Sequence, residues 1–227
     1  MNRGRRRRIA LATGNRNKIK EIRNLLEAVP VFLLTPSELG IRLEVTEDGA
    51  TYEENALKKA WTLARASGLP AVADDSGLEV TALEGGPGLN SSRFAGAGAD
   101  DAANRRRLLA ELAGVPEEKR QARFVCIAVL VVPNTGTGRE VICRGEWRGL
   151  ITDRERGSSG FGYDPVFLIP EEARTVAELG AAYKRQHSHR AQAFRALARH
   201  LEALVQEGEP LDCRSGQEDI SGRGAVR

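Results

Sequence analysis

Residues 51–80 read TYEENALKKAWTLARASGLPAVADDSGLEV, and this stretch predicts a helix followed by a strand, the basic unit of an α/β protein. Thr51 is followed three residues later by Glu54, the signature of a capping box at a helix start. Apolar residues then repeat at helical spacing, at Leu57, Ala60, Trp61 and Ala64. Gly68 and Pro70 lie just past the end of this helix.

A pair of acids follows the predicted strand. We predict a short strand over residues 71–73 that presents Asp74 and Asp75 at its carboxyl end, at a strand edge or turn. Glu47 and Asp48 lie in a second predicted loop. Carboxylates gathered in this way suit Mg2+, which keeps several waters and bridges to substrate phosphates. An acidic surface turn accounts for the same residues, and the spacing alone leaves both interpretations open.

Toward the N-terminus, a predicted strand over residues 9–12 leads through a glycine-containing turn into a helix. Backbone N–H groups at a helix start favour an anion, and Lys18 adds a positive charge in the first helical turn. We therefore predict a phosphate site formed by Thr13, Gly14, Asn15, Arg16, Asn17 and Lys18. The pattern matches neither GxxxxGK[ST] nor GxGxxG, so an ordinary capped turn is an equal alternative at this point.

Toward the C-terminus, the pattern predicts two long neighbouring strands and two more helices. The strands cover residues 124–132 and 140–151 and are joined by a turn at 133–138. Asp100 is expected to cap one helix, and a long last helix is expected to have His189 and Arg190 at or near its start. Together with a predicted strand over 31–34, this order implies an α/β fold whose sheet is at least partly antiparallel.

Residues 157–165, GSSGFGYDP, combine a flexible backbone with two aromatic side chains and an acid. Phe161 is suited to lie against a nucleobase face, and Asp164 is suited to accept hydrogen bonds from base N–H groups. A tight turn with Phe161 in the core is the alternative. Lys184, His189 and Arg190 provide three donors around the start of the last helix, suited to phosphates or to acceptor atoms of a base.

Composition excludes several classes of protein. The 227 residues carry a net charge of +3, but five arginines lie within residues 3–8, so residues 9–227 have a net charge of −2. We therefore expect no nucleic-acid binding by the folded part. The longest apolar run, residues 124–132, is far shorter than the roughly 20 residues of a membrane-spanning helix. With no secretory signal after the arginines, we expect no membrane association and a cytoplasmic location.

The chain is expected to form one main domain. Residues 1–8 are almost entirely arginine and polar, and we predict a disordered basic arm there. Residues 207–227 have few large apolar groups and are predicted to be a disordered tail. Between them, residues 9–206 contain no repeat and no long linker, so we assign them to one folded unit.

With these clusters in place, the chain resembles the inosine triphosphate pyrophosphatase family over residues 9 to about 204. The resemblance rests on seven motifs in one order: LATGNRNKIKEI, EDGATYEENALKKA, AVADDSGLEV, GGPGLNSSRFAG, QARFVC, GFGYDPVF and SHRAQA. ADDSGL and GFGYDP are the specific ones. The arginine-rich start, the polar tail and His187, which stands where an aliphatic residue is expected, depart from the family pattern.

The resemblance implies a fold and a set of roles. The fold would be an α/β structure of two lobes around an elongated, twisted mixed β-sheet flanked by helices, with the nucleotide in the cleft between the lobes and a homodimer as the assembly. Glu47 and Asp75 match the family's magnesium ligands, and Asp75 also matches its general base, with the division of labour between Asp74 and Asp75 left open. Substrate contacts are implied for the turn 13–18 and for Ser76, Phe161, Gly162, Tyr163, Asp164, Lys184, His189 and Arg190.

The implied activity is Mg2+-dependent hydrolysis of non-standard purine nucleoside triphosphates (ITP, dITP, XTP) between the α and β phosphorus atoms, which removes damaged nucleotides from the pool. Hypoxanthine and xanthine carry a carbonyl where adenine has an amino group, so donors from His189 or Arg190 would distinguish them. One alternative is a Maf-like pyrophosphatase of the same type with another base preference. The other is a nucleic-acid binder that uses the arginine-rich arm.

Overall fold

The computed structural model describes residues 6–133 and 138–207, and these form one sheet flanked by helices. The strands are β1 Arg7–Leu11, β2 Val31–Leu34, β3 Ala71–Val80, β4 Pro87–Gly88, β5 Gln121–Val132, β6 Arg139–Ile151, β7 Phe167–Ile169 and β8 Arg174–Thr175. The helices are α1 Arg16–Leu25, α2 Tyr52–Ser67, α3 Asp101–Glu111, α4 Val176–His187 and α5 His189–Gln206.

The sheet is open and mixed, as the sequence predicts. Within the described residues its order is β2-β1-β3-β5-β6-β7-β8, and β4 pairs with β3. β1 is parallel to both β2 and β3, and the other pairs are antiparallel. β5 and β6 pair from Gln121↔Leu150 to Val132↔Arg139, so every residue of β5 has a partner in β6.

Two lobes share the long strands. In the first lobe, α1 and α5 pack on one face of the sheet around Phe194 and Leu197, and α2 packs on the other face around Leu63. In the second lobe, the other halves of β5 and β6 pack with α3, β7 and α4 around Leu108 and Phe167. The fold class predicted from the sequence, including its two lobes, is therefore confirmed.

Helix α2 begins and ends where its sequence signals indicate. The Thr51 side chain accepts a hydrogen bond from the Glu54 N–H at 3.1 Å. The Glu54 carboxylate accepts from the N–H of Ala50 at 2.7 Å, one residue earlier than in a capping box. At the other end Gly68 has φ of +69°, the left-handed conformation that ends many helices.

The prediction that the strand ends before the acids is wrong. β3 continues through Asp74, Asp75 and Ser76 as far as Val80, and pairs with β5 over its whole length. Polar residues indicate a turn when they are assumed to need water. Here the two carboxylates remain in a central strand because buried cations neutralise them.

Other boundaries differ in smaller ways. β1 begins at Arg7, so the predicted disordered arm over residues 1–8 is wrong at Arg7 and Arg8, where main-chain pairing with β2 orders the chain. Residues 1–5, most of the predicted 133–138 turn and residues 208–227 lie outside the described residues. Helix α4 was not predicted from the sequence, and Gly180 with φ of +81° interrupts its turns. No helix in the described ranges is long and apolar enough to cross a membrane.

Candidate active site

Asp74 and Asp75 serve two different clusters because they point to opposite faces of β3. Successive side chains of a strand alternate between faces. Asp74 lies opposite Ala128 of β5 on the face covered by α1 and α5, and Asp75 lies opposite Ile127 on the face covered by α2. The adjacent acids therefore meet different cations.

Asp74 is the centre of a buried ion cluster. Its Oδ2 lies 3.0 Å from Lys18 Nζ and 3.1 Å from Arg190 Nη2, and it accepts a hydrogen bond from Ser76 Oγ at 2.9 Å. Burial alone would raise the pKa of this carboxyl, but the charges of Lys18 and Arg190 outweigh it and hold the pKa well below its usual range. Asp74 is therefore a permanent anion that fixes its neighbours.

The cluster extends into a chain of alternating charges. Arg190 Nη1 lies 2.7 Å from Glu21 Oε2, and Glu21 Oε1 lies 2.9 Å from Lys184 Nζ. Lys184 Nζ in turn lies 2.7 Å from Asp164 Oδ2. From Lys18 to Asp164 the chain joins β3, α1, α4, α5 and the loop before β7, and its three cations balance its three anions.

Asp75 belongs to the second cluster. Its Oδ1 lies 3.0 Å from Lys59 Nζ, and the same ammonium lies 3.0 Å from Glu47 Oε1. Asn55 Nδ2 donates to Asp75 Oδ2 at 3.4 Å. Burial raises the pKa of Asp75, and the attraction of Lys59 only partly offsets this. Asp75 is therefore easier to protonate than Asp74, as a proton acceptor at near-neutral pH needs to be.

The carboxylates of Glu47 and Asp75 both contact the ammonium of Lys59. Both oxygens lie 3.0 Å from Lys59 Nζ, so they are no more than 6.0 Å apart and already surround one positive charge. No group of three or more His, Cys, Asp or Glu side chains that could hold a metal exists in the described part of the chain. Mg2+ is commonly held by one or two carboxylates with water and substrate phosphates, so two ligands suffice.

The turn at the start of α1 differs in part from the expectation. Lys18 reaches the Asp74 cluster. However, the Asn15 side chain accepts from the N–H groups of Asn17 and Lys18 at 2.9 and 3.1 Å, and Asn15 N donates to Thr13 Oγ1 at 3.2 Å. The prediction that these helix-start N–H groups face an anion is therefore wrong for Asn17 and Lys18, because the cap of α1 occupies them. Gly14 and Arg16 are exposed or nearly so in the same turn.

The loop between β6 and β7 holds Phe161 half-buried at the cleft rather than in a core. Lys184 Nζ lies 4.2 Å from the centre of its ring, and Asp164 Oδ2 accepts from the Phe161 N–H at 2.9 Å. Tyr163 is buried, and its hydroxyl donates to the carbonyl of Ser91 at 2.8 Å. The ring of Phe161 is thus presented on a supported loop.

A cleft between the lobes brings most predicted residues together. Asn15, Lys18 and Ser76 line it on the first lobe, and residues 161–164 line it on the second, with Lys184, His189 and Arg190 at its floor. His189 is buried and stacks on Phe124 with ring centres 4.7 Å apart. Among the described residues its Nδ1 is a buried atom without a hydrogen-bond partner. A buried polar atom without a hydrogen bond is unfavourable, and a hydrogen bond with a polar ligand would remove this energetic cost.

Sequence reasoning missed three members of these clusters: Glu21, Asn55 and Lys59. Asn55 and Lys59 are four residues apart on the buried face of α2, beside Ala56, Ala60 and Leu63. A lysine in an apolar helix stripe needs an acid partner, so Lys59 carried a readable signal. Glu21 carried none, because its partners Lys184 and Arg190 are more than 160 positions away.

An open mixed sheet with a cleft between two lobes, lined by charged side chains, defines an α/β protein whose cleft is suited to a polar ligand. Similarity to known proteins places the chain more narrowly within this class. The model of the Ham1 family matches residues 9–200, and the chain therefore belongs to the Ham1 family.

Close relatives and solved structures agree with this assignment. A dITP/XTP pyrophosphatase of Methylococcus capsulatus is 48% identical over 200 residues, covering 88% of this chain and 98% of the relative. One of Vibrio parahaemolyticus is 45% identical over 197 residues, covering 87% and 98%. The structure of a HAM1 protein from Coxiella burnetii superposes with a TM-score of 0.79 at 38% identity, covering 87% of this chain and 99% of that one.

Proposed function

We propose that this protein hydrolyses non-standard purine nucleoside triphosphates (dITP, ITP and XTP) to the monophosphate and pyrophosphate. The observation that carries the proposal is the relationship to proteins named dITP/XTP pyrophosphatase, at 45% and 48% identity over nearly the whole of each relative. The charges of the site support it, because Lys18, Lys184 and Arg190 line the cleft and the carboxylates of Glu47 and Asp75 both contact Lys59.

Glu47 and Asp75 would hold Mg2+. The ion, when bound, would neutralise phosphate charge and lower the pKa of a coordinated water. The charges of the cleft support a need for it. The chain of ion pairs from Lys18 to Asp164 is neutral, and the cluster of Glu47, Lys59 and Asp75 has a net charge of −1. These residues alone therefore do not offset the charge of a triphosphate.

Asp75 is the better candidate for the general base. Its burial raises its pKa, and its carboxylate contacts Asn55 and Lys59. Asp74 is fully enclosed and paired with two cations, so proton uptake there would break the ion cluster. We assign to Asp74 the positioning of Lys18 and Arg190, and to Asp75 the acceptance of a proton from the attacking water.

Lys18 and Lys184 would balance charge on the substrate phosphates and on the leaving pyrophosphate, with the residues of the turn at 13–17 beside them. Phe161 would stack on the purine, with Gly162, Tyr163 and Asp164 forming the rest of that wall. His189 and Arg190 would donate to the 6-carbonyl that separates hypoxanthine and xanthine from adenine. Guanine shares this carbonyl, and its exclusion has no explanation among these residues.

We also propose that residues 9–206 form the whole catalytic unit, that it works as a homodimer in the cytoplasm, and that it binds no nucleic acid. Light scattering after gel filtration tests the dimer. The net charge of −2 over residues 9–227 supports the last point, because nucleic-acid affinity depends on basic surface.

A pyrophosphate-release assay tests the function. ITP, dITP, XTP and the four standard deoxynucleoside triphosphates are compared with and without Mg2+. We expect release from the first three, and none after chelation of the metal. Equal release from dATP and dITP would contradict the base preference. Preference for a pyrimidine or a modified base would instead indicate a Maf-like specificity.

A further inference from the structure

The tip of the loop between β6 and β7 is held by helix α3, whose residue Asp101 also lines the cleft. Asp101 Oδ2 accepts a hydrogen bond from the Gly162 N–H at 2.7 Å, and Arg105 Nη1 donates to the Gly162 carbonyl at 2.9 Å. Asp101 and Arg105 are four residues apart and therefore lie on one face of the helix. They satisfy both main-chain groups of a single residue.

This contact stands out because the tip has little other support. Residues 157–162 consist of two glycines and two serines, followed by Phe161 and Gly162. In the described part of the chain, the hydrogen bonds that reach residues 157–162 from other elements come from Asp101 and Arg105 alone. The ends of the loop are fastened separately, by Thr152 to Val166 and by Arg156 to Pro165.

The residues of α3 are themselves held in place. Arg105 Nε lies 3.0 Å from Glu155 Oε1, and its side chain is only 14% exposed. Asp100 caps the helix by accepting from Ala103 N at 2.7 Å. Gly162 has φ of +61°, a conformation that favours glycine and that turns its main chain toward α3.

We propose that Asp101 and Arg105 are positioning residues that fix the Phe161 ring for contact with the purine of the substrate. Phe161 precedes Gly162, so a fixed Gly162 peptide leaves the Phe161 backbone little freedom to rotate. On its other side Phe161 is held by Asp164 and faces Lys184. The inference rests on the proposed function, which supplies the purine. A loop that is already ordered in the free protein favours binding, because no conformational entropy of the loop is then lost when the purine binds.

The test measures purine affinity separately from triphosphate affinity. Asp101→Ala removes the acceptor, and Arg105→Met removes the guanidinium but keeps a long apolar side chain. We expect each to raise KM for dITP by about tenfold while kcat stays within about twofold, since a hydrogen bond to a charged group is lost. The inhibition constant of inorganic tripolyphosphate, which has no base, should not change.

Two further variants complete the set. Asp101→Asn keeps an oxygen that accepts from Gly162 and should restore KM to near the wild-type value. Arg106→Met removes an exposed charge from the neighbouring position of α3 and should change nothing. An unchanged KM in both Asp101→Ala and Arg105→Met would overturn the proposal. So would a parallel rise in KM and in the tripolyphosphate constant, or a fall in kcat alone, since each indicates general damage.

Hydrogen exchange gives a readout that does not depend on activity. The amides of residues 157–164 should exchange faster in Asp101→Ala and Arg105→Met than in Arg106→Met. Unchanged exchange would contradict the role of Asp101 and Arg105 in holding the loop. If the wild-type protein released no pyrophosphate from any triphosphate, the proposed function would fail. The exchange experiment would still decide whether α3 orders the loop.

Discussion

At the level of single residues, the two adjacent aspartates are both buried but differ in their partners and in the direction in which their pKa values are shifted. Asp74 contacts Lys18 and Arg190 on one face of β3, and the pKa of its carboxyl is held low by them. Asp75 contacts Lys59 on the other face, where burial raises the pKa of the carboxyl. The consequences of replacing each one should therefore differ in kind.

Asp75→Asn should lose activity without losing the fold. The amide cannot accept the proton from water, so kcat should fall by about 100-fold or more. Circular dichroism should remain that of the wild type, because Lys59 keeps its contact with Glu47. Near-normal pyrophosphate release by this variant would refute the assignment of Asp75 as the base.

Asp74→Asn should instead lose stability. Lys18 and Arg190 would keep their charges beside a neutral amide, and breaking a buried ion pair in this way typically costs about 3–5 kcal/mol in the free energy of unfolding. Urea denaturation measures the change. Asp48→Asn is the control, because Asp48 pairs with Lys58 in an exposed position and its loss should leave the midpoint unchanged.

His189 should make the protein less stable in acid. Burial and the nearby charges of Arg190 and Lys184 lower its pKa well below 6.5, with Asp74 acting in the opposite direction. Below about pH 6.5 the unfolded chain therefore takes up a proton that the folded chain does not, and the free energy of unfolding falls by up to about 1.4 kcal/mol per pH unit.

His189→Gln should remove this part of the pH dependence. Urea denaturation at about pH 7 and pH 5 gives the two slopes to compare. His200, exposed on the same helix α5, provides the control variant His200→Gln, which should behave as the wild type. Equal slopes in all three proteins would show that His189 does not contribute.

At the scale of elements, the start of α5 depends on a close approach to β6. A Cβ on Gly145 would meet the carbonyl oxygen of His189, and it would lie 2.8 Å from Ala193 N. Gly145 thus allows the first turn of α5, which carries His189 and Arg190, to pack directly against the sheet. Side-chain spacing within β6 does not reveal this contact, because it depends on a helix 44 residues later.

Gly145→Ala should push the first turn of α5 away from β6. We expect a loss of about 1–3 kcal/mol in the free energy of unfolding, typical of overpacking. The value of kcat/KM should fall as well, because Arg190 would move relative to Asp74. Thermal melting and the pyrophosphate assay measure the two effects, and wild-type values in both would show that the gap tolerates a methyl group.

At the scale of the whole molecule, the described residues contain both lobes, the cleft and every proposed site residue. Arg7 of β1 donates to the carbonyl of Leu204 in α5, so the two ends of the domain contact each other. A protein restricted to residues 6–207 should therefore retain its activity. We expect kcat/KM within about twofold of the full chain, because residues 6–207 contain every proposed site residue.

A shorter protein tests where the folded domain begins. A protein that starts at residue 12 would lack β1, which pairs with both β2 and β3. It should not fold, because β2 would lose the strand that joins it to β3 and the core of the first lobe would lose Ile9 and Leu11. A large loss of activity in the protein of residues 6–207 would instead assign a role to the removed ends.

The local elements and the family could be predicted from the amino-acid sequence. Helix α2 could be read from Thr51, Glu54 and Gly68, because caps and apolar spacing act over a few residues. The long strands β5 and β6 and the start of α5 were predicted for the same reason. The resemblance to a nucleotide pyrophosphatase family also came from short motifs, and the match to the Ham1 family confirms it.

The placement of the two acids on different faces of β3 could not be predicted, because it depends on contacts between distant parts of the chain. Asp74 and Asp75 look alike in sequence, and their separation onto two faces required knowing that β3 continues through them. That continuation depends on Lys18, Lys59 and Arg190, since without these cations two buried carboxylates would be too costly in a central strand. Lys59 alone of these cations leaves a local signal, in the apolar stripe of α2, and the pairing of each acid with its cation is brought about by folding.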